Sequence, residues 1–302
     1  MSPQRNLKIL FVLNPHSGGV PHFFWRKKSI DKESVIREYL KNTSYQFEFY
    51  QMALSDDSAS IKHWIHQWKP DRVVAIGGDG TVRMIASILV GTNIPLGIIP
   101  SGSANGLAKD MGLPNTVHDG LDIILYSGTI KTTDLIVINQ HHHCIHLSDI
   151  GMNAQLVKYF QENDIRGKLG YAQEMLKVLW RQRWMEVTIV SDQVEIKRKA
   201  FMVVLANARM YGTGVKINPS GDMQDGLFEV VILRKLSFTE LLKMLFLNRR
   251  FNPQKTEVLQ AEQVTIHVKK KVYFQIDGEY LGKTKYLSAE IMPKAIQLIY
   301  PT

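Results

Sequence analysis

The stretch RVVAIGGDGT, residues 72–81, joins a strand pattern to a glycine loop. Its first residue is followed by four apolar residues in succession, a run typical of a strand buried on both faces of a parallel sheet. Three glycines interrupt this run, and a helical pattern begins at Val82. Glycines at this position let backbone N–H groups converge on a phosphate at the positive end of the helix dipole. The stretch predicts a phosphate-binding loop, although on a purely steric interpretation the glycines only make the turn and Asp79 only caps the helix.

The same succession of strand, loop and helix occurs twice more in the first third of the chain. Apolar residues 9–13 end at Asn14-Pro15, and a helical pattern follows at about residues 29–40. The strand pattern at residues 94–99 runs into the loop PSGSANG, residues 100–106, before a short helical segment. This order predicts a mostly parallel sheet with helices on both faces, in which ligands bind beyond the carboxyl ends of the strands.

After about Thr133 the pattern changes to short β-rich runs. These runs are Leu135–Asn139, Met185–Ser191, Ala200–Ala206, Leu227–Leu233, Val264–Val268, Val272–Ile276 and Ala295–Tyr300. Two helical patterns, at about Lys168–Arg183 and Ser237–Leu247, interrupt them. We therefore expect an α/β domain at residues 1–134 and a mainly antiparallel domain at residues 135–293, with residues 294–302 returning to the first domain.

Composition narrows the class of protein. The chain has 302 residues, of which 45% are hydrophobic and 22% charged, and this mix excludes a disordered tail, a collagen and a solenoid. The formal net charge of +9 favours anionic partners. A single cysteine, Cys144, excludes an intrachain disulfide and indicates a cytoplasmic protein. The sequence has no apolar run long enough to span a bilayer, no signal-peptide pattern and no RNA-binding motif, so we expect no nucleic-acid partner.

The segment Asp277-Gly278-Glu279 follows an alternating strand pattern near the end of the chain. Taken alone, Asp-Gly predicts a two-residue hairpin turn. Phosphoryl transfer, however, needs carboxylates that bind a metal and a group that orients or deprotonates the acceptor hydroxyl. A carboxylate brought from the second domain to the glycine loops would supply such a group.

Several segments together carry a family resemblance. In chain order they are NPHSG at 14–18, GGDGT at 77–81, PSGSANGLA at 100–108, Asn207 with Gly212 and Gly214, Asp222 with Asp225-Gly226, and DGE at 277–279. These segments resemble the diacylglycerol kinase catalytic-domain family, which includes bacterial lipid kinases and sphingosine kinases. The resemblance implies an α/β nucleotide-binding domain of the three-layer NAD kinase and phosphofructokinase type, a β-sandwich-like second domain, and an active site in the cleft between them.

The resemblance also implies roles for individual residues. ATP would contact Asn14, Pro15, Ser17, Gly18, Gly77, Gly78, Asp79, Gly80, Thr81, Gly102, Ser103, Asn105 and Glu279. Asp79 would belong to the Mg²⁺ and phosphate network, Asp277 would be the catalytic base, and Asp134 would lie near the acceptor. Asp222, Asp225 and the carbonyl of Leu227 match a second, structural Mg²⁺ site found in some bacterial members.

Two positions depart from the family pattern. Gly106 stands where many bacterial diacylglycerol kinases have an aspartate, whereas sphingosine kinases also have a small neutral residue there. Arg83-Met84 replaces the Asn-Glu pair that commonly follows the glycine loop. These departures put substrate orientation in question.

The expected function is an ATP- and Mg²⁺-dependent lipid kinase that phosphorylates a lipid hydroxyl of the diacylglycerol or sphingoid type. Such a protein would be cytoplasmic and would touch the inner face of the membrane, with Trp180–Trp184 and Leu241–Phe251 as basic-aromatic candidates for that contact. A soluble kinase of the NAD kinase type and an inactive nucleotide- or lipid-binding homologue are the alternatives. The sequence leaves homodimerisation open.

Overall fold

The computed structural model describes residues 7–17, 31–53, 57–163, 184–191, 194–210, 217–234 and 256–302. The chain divides into two compact units. The first unit comprises residues 1–133 and 295–302, and the second comprises residues 134–294. The helices expected at 168–183 and 237–247, the basic-aromatic segment at 241–251, most of the one at 180–184, and Gly18, Gly212 and Gly214 lie outside the described residues.

The first unit contains the parallel sheet that the sequence predicts. Its strands are β1 (Lys8–Leu13), β2 (Gln46–Gln51), β3 (Arg72–Gly77) and β4 (Leu96–Pro100). β1 lies between β2 and β3, and β4 pairs with β3, all in parallel. The end of the last strand of the chain joins β4 in parallel, with Leu298 opposite Leu96. β3 is buried along most of its length, as its uninterrupted apolar run predicts.

Helices connect these strands. They are α1 (Lys32–Leu40), α2 (Ser58–Trp68), α3 (Asp79–Leu89), α4 (Gly106–Asp110) and α5 (Val117–Asp122), the last continuing into a π-helical turn at Ile123–Ser127. One core cluster joins α1 and α5 to the sheet through Ile36, Leu121, Phe11 and Val74. The unit is therefore the three-layer α/β domain that the sequence predicts.

One local expectation needs correction. α3 begins at Asp79, not at Val82, because Gly78 is its N-cap and the residues after it are already helical. Asp57 is the N-cap residue of α2, and its side chain makes no capping hydrogen bond. Its Oδ2 accepts instead from the amide of Ala53 and so holds the chain that leads out of β2.

The second unit is mainly antiparallel. Its strands are β5 (Thr129–Ile138), which begins in the first unit, β6 (His142–Cys144), β7 (Leu147–Gly151), β8 (Met185–Ser191), β9 (Glu195–Ala200), β10 (Met202–Ala206), β11 (Phe228–Leu233), β12 (Thr256–Ala261), β13 (Gln263–Ile276) and β14 (Glu279–Tyr300). β12, β11, β10, β7, β13 and β14 follow one another across the sheet, and β8 and β9 extend from β13. One helix, α6 (Met152–Asn163), packs on β7 and β13. This unit is the expected β-sandwich-like domain.

The two strands expected at residues 264–268 and 272–276 form a single strand, β13. The intervening Lys269-Lys270-Lys271 suggests a break in the sequence, but it contains neither glycine nor proline. The chain passes it with a register irregularity between His267 and Val272. Ala295–Tyr300 is likewise the end of the longer strand β14, whose earlier residues belong to the second unit. In the described part of the chain, no helix is long and apolar enough to cross a membrane.

Candidate active site

Three loops meet in the first unit, where β1, β3 and β4 end. Asn14 Nδ2 donates to Thr81 Oγ1 at 2.9 Å, which ties the first loop to the second. Ser17 Oγ donates to Ser101 Oγ at 2.9 Å, and the Ser101 amide donates to the Gly77 carbonyl at 2.8 Å. The two side-chain bonds span 67 and 84 positions of sequence. The fold therefore brings these predicted nucleotide residues to one edge of the parallel sheet.

Glycine is required where the second and third loops touch. A Cβ on Gly102 would lie 2.5 Å from Gly78 Cα, and a Cβ on Gly77 would lie 2.4 Å from the Thr81 Cβ. Contacts this short do not occur between real atoms, so a side chain would push the loops apart. The close approach therefore gives these glycines a steric cause, and phosphate binding by the same loops stays a prediction.

The first turn of α3 has N–H groups suited to an anion. Its N-cap, Gly78, has no side chain, and the amides of the first helical residues, 79–81, have no acceptor within the helix. The first intrahelical bond runs from the Val82 amide to the Gly78 carbonyl. The helix dipole adds favourable potential for negative charge at this end.

Asp79 and Asn105 fix the geometry between α3 and α4. Asp79 Oδ1 accepts from the Leu107 amide at 3.3 Å, so the first residue of α3 caps the next helix. Asn105 has a left-handed backbone with φ +52° and forms a closed pair with Gly102, accepting from its amide and donating to its carbonyl at 2.8 Å each. Among the other predicted contacts, Pro15 and Ser103 are exposed and Gly80 is half-buried.

Lys32 is a candidate that the sequence did not single out. It lies in the first turn of α1, and its Nζ donates to Ser101 Oγ, the hydroxyl that also accepts from Ser17. Partial burial lowers the pKa of Lys32 below its ordinary value. A cation at a helix N-terminus is unfavourable on its own, and the acidic Asp31 and Glu33 in the same turn offset part of this cost. The sequence feature that could have drawn attention to Lys32 is its position directly after Asp31, the N-cap residue of α1.

Asp277 forms the second part of the predicted site, in the second unit. Asp277 and Gly278 make the two-residue turn between β13 and β14, with φ +47° and +84°. Two successive positive φ values are those of a type I′ turn, so the hairpin interpretation of Asp-Gly is confirmed. The Asp277 amide donates to the Leu147 carbonyl at 2.9 Å, which attaches the turn to β7.

The Asp277 carboxylate lies in a cluster of backbone amides. Oδ2 accepts from the Ile145 amide at 2.9 Å, and Oδ1 accepts from His146 at 2.9 Å and Leu147 at 3.0 Å. Cys144 Sγ donates to Oδ1 at 3.4 Å. Only 5% of Asp277 is exposed. Hydrogen bonds from several amides stabilise the negative charge of a carboxylate and fix its orientation.

Asp134 is held in a similar way. Its Oδ1 accepts from the Lys294 amide at 2.7 Å and its Oδ2 from the Gly226 amide at 2.8 Å. Its own amide donates to the Met223 carbonyl, and its carbonyl accepts from Asn207 Nδ2. These contacts give Asp134 a structural role within the second unit, and its expected place beside the acceptor stays a prediction.

The predicted structural Mg²⁺ site lies on the loop before β11. Asp222 and Asp225 are exposed, and each accepts one loop amide, from Gln224 at 3.1 Å and from Leu227 at 2.9 Å. Two carboxylates and the Leu227 carbonyl are the oxygen donors that Mg²⁺ prefers, so the residue types fit. Within the described ranges, however, no group of three or more His, Cys, Asp or Glu side chains is arranged to hold a metal.

Glu229 lies buried just beyond this loop, at 2% exposure. Burial raises the pKa of Glu229 above its ordinary value, and the charge of Asp225 acts in the same direction. Hydrogen bonds from Gln260 and Asn218 oppose this shift. The shift favours the neutral form of the Glu229 carboxyl.

Comparison with known proteins assigns the class. Residues 8–138 match the diacylglycerol kinase catalytic domain, and residues 148–300 match the YegS C-terminal NAD kinase beta sandwich-like domain. The chain belongs to the diacylglycerol kinase family of lipid kinases, as its motifs indicate.

Individual relatives agree with this class. A diacylglycerol kinase from Mycobacterium tuberculosis strain CDC 1551 is 30% identical over 243 residues, which cover 76% of this chain and 77% of the relative. A probable lipid kinase, YegS-like, from Yersinia enterocolitica is 28% identical over 88% of this chain and 92% of its own length. A crystal structure of a putative diacylglycerol kinase from Bacillus anthracis covers 97% of both chains with a TM-score of 0.72 and 18% identity, which shows a shared fold.

Proposed function

We propose that this protein is an ATP- and Mg²⁺-dependent lipid kinase that transfers the γ-phosphate of ATP to a lipid hydroxyl. The observation that carries the proposal is that a chain of this family contains two particular features. The first is the glycine-lined cluster of loops at the start of α3, and the second is the oriented carboxylate of Asp277. One feature suits a phosphate chain, and the other suits an acceptor hydroxyl.

The first unit binds the nucleotide in this proposal. The amides at the start of α3 and the loop around Gly102 donate to the phosphates, and the Lys32 ammonium neutralises part of their charge. Asn14 and Thr81 keep the loops at their spacing through their mutual bond. Asp79 would hold Mg²⁺ together with phosphate oxygens and waters, and the ion, when bound, neutralises charge on the transferred group.

In this proposal, the second unit binds and orients the acceptor. Asp277 accepts a hydrogen bond from the lipid hydroxyl and orients it for in-line attack. It takes the hydroxyl proton as the oxygen bonds to the γ-phosphorus and the bond from that phosphorus to the departing ADP oxygen breaks. The amides that surround the carboxylate keep it stationary, so its contribution is chiefly orientation. Asp222 and Asp225 would bind a second Mg²⁺ that stabilises their loop.

Diacylglycerol is the first acceptor to test, because two relatives carry the name diacylglycerol kinase, from Mycobacterium tuberculosis and Bacillus subtilis. Gly106 supports a second candidate, a sphingoid base, since a carboxylate is missing where many diacylglycerol kinases have one.

Transfer of labelled γ-phosphate tests the proposal. The protein is incubated with ATP and Mg²⁺ in mixed micelles that offer diacylglycerol, a sphingoid base, monoacylglycerol or phosphatidylglycerol, with NAD as a soluble acceptor in parallel. We expect one labelled lipid phosphomonoester, abolished by removal of Mg²⁺. Labelled NAD without any lipid product would contradict the proposal in favour of a soluble-metabolite kinase. Measurable ATP binding with no transfer would contradict it in favour of an inactive homologue.

A further inference from the structure

Five exposed lysines lie close together on the β13–β14 hairpin. We name this group the lysine section, and its members are Lys269, Lys270, Lys271, Lys283 and Lys285. The first three follow each other in β13 at its register irregularity. Lys283 lies opposite Tyr273, and Lys285 follows two residues later in β14. The hairpin therefore concentrates five positive charges on a short length of two paired strands.

Ion pairs with acidic neighbours neutralise only a small part of this positive charge. Lys269 forms an ion pair with Glu186 of the adjacent strand β8. For the other four lysines, the described part of the chain offers no ion-pair partner. The next strand, β9, adds the exposed Lys197 and Lys199, of which Lys197 pairs with Glu195. The surface around the hairpin thus keeps a clear excess of positive charge.

Aromatic and apolar side chains accompany these lysines. Lys283 Nζ lies 4.5 Å from the centre of the Tyr273 ring, and the rings of Tyr273 and Tyr280 are 6.0 Å apart. Tyr286 is 46% exposed and Leu281 is 37% exposed. Tyrosine rings and lysines occur together at the boundary between water and hydrocarbon, where each finds favourable surroundings.

We infer that the lysine section docks on the surface of a bilayer that contains anionic phospholipids, an inference that rests on the proposed lipid acceptor. Anionic headgroups complement the lysines, and the exposed Leu281 of the same hairpin finds apolar partners in the outer acyl region. Nucleic acid would complement the charges but would leave Leu281 without a partner. The same hairpin carries Asp277 at its turn, six residues and so about 20 Å along β13 from Lys271. Docking would therefore place the hairpin that carries the proposed base on the membrane that contains its substrate.

Vesicle co-sedimentation of the whole protein tests the inference. Phosphatidylcholine vesicles with and without phosphatidylglycerol are compared for the unaltered protein, for the combined variant Lys270→Gln, Lys271→Gln and Lys285→Gln, and for a matched control with Lys41→Gln, Lys62→Gln and Lys69→Gln. The control removes three exposed charges from the first unit. Each lysine contributes about fivefold to binding at an anionic surface, so the hairpin variant should bind about a hundredfold more weakly. The control should keep nearly full affinity, and high salt should remove the difference.

Several results would overturn the inference. Binding of the unaltered protein that ignores phosphatidylglycerol is one, and equal losses in the hairpin and control variants are another. Loss of binding to duplex DNA in the hairpin variant, with vesicle binding intact, would assign the surface to nucleic acid. A kinase assay with a short-chain acceptor dissolved as monomers tests the proposed function without a membrane. The hairpin variant should phosphorylate this acceptor at the normal rate. Vesicle binding needs no ATP, so failure of the kinase assay would not obscure the docking result.

Discussion

The loop cluster of the first unit and the Asp277 turn of the second unit both depend on backbone amides, but they use them in opposite ways. At the start of α3 the N-cap is a glycine, and the helix itself provides no acceptor for its first amides. At Asp277, three consecutive amides already bind a carboxylate supplied by the chain. In the proposed function the first region receives an anion from outside, whereas the second contains a carboxylate of its own.

This difference separates binding from chemistry. Changes in the loop cluster should weaken nucleotide binding, whereas changes at Asp277 should slow transfer while ATP still binds. Three variants, taken from the largest expected effect to the smallest, examine this separation.

Asp277→Asn should have the largest effect. It removes the group that takes the proton, so turnover should fall by about 10² to 10⁴ with ATP affinity nearly unchanged. It also places an amide among N–H donors, which should lower the free energy of unfolding by about 1–3 kcal/mol. Kinetics with the identified lipid acceptor and a thermal melt measure both quantities.

Asp134→Asn is the matched control for that variant. Asp134 is equally buried and accepts two backbone amides, so its replacement should cost similar stability. Turnover should stay within a few fold if Asp134 is structural. Equal loss of turnover in both variants would mean that Asp277 acts only through the fold, or that Asp134 shares its chemistry.

Gly102→Ala tests the loop cluster itself. The added Cβ would meet the backbone of Gly78, so the two loops must separate and the phosphate-binding amides must move. A displacement of about 1 Å at such a site costs about a hundredfold in kcat/KM, and here the loss should appear in the KM for ATP.

Gly120→Ala is the matched control for Gly102→Ala. Its Cβ would meet only Ile99 Cγ1 at 3.5 Å, an ordinary contact, and the position is helical. This variant should keep normal ATP kinetics and gain up to about 1 kcal/mol of stability. A normal KM for ATP in Gly102→Ala would show that the contact between the loops does not position the nucleotide.

Lys32→Met should have the smallest of the three effects. Losing one charged hydrogen-bond donor to phosphate should lower kcat/KM for ATP by about tenfold to a hundredfold. Lys41→Met removes an exposed lysine just beyond the other end of α1 and should leave the kinetics unchanged. The assignment of Lys32 to the phosphates would be wrong if both variants behaved alike.

The sequence predicted the first region better than the second, for a physical reason. Gly77, Gly78 and Gly102 each have a steric cause, since an added Cβ would meet Thr81 or the facing glycine, and this cause leaves a visible pattern in the sequence. The role of Lys32 depends on Ser101, 69 positions away, and leaves no such pattern.

The second region depends still more on distant contacts. Asp-Gly correctly predicted the turn, but the amides that surround the Asp277 carboxylate come from residues 130 to 132 positions earlier in the chain. The continuous strand β13 was missed for a related reason. Its lysine run interrupts the alternating pattern, whereas pairing with β14 on both sides of the irregularity keeps the strand intact.

Hydrogen–deuterium exchange of the unaltered protein, with and without a non-hydrolysable ATP analogue and Mg²⁺, tests the separation of the two regions most directly. The account predicts slower exchange at residues 14–17, 77–81 and 101–107 when the nucleotide is bound. Exchange at residues 145–147 should not change, because those amides already bind Asp277. Protection confined to residues 145–147 and 277–279, with the glycine loops unaffected, would contradict the account.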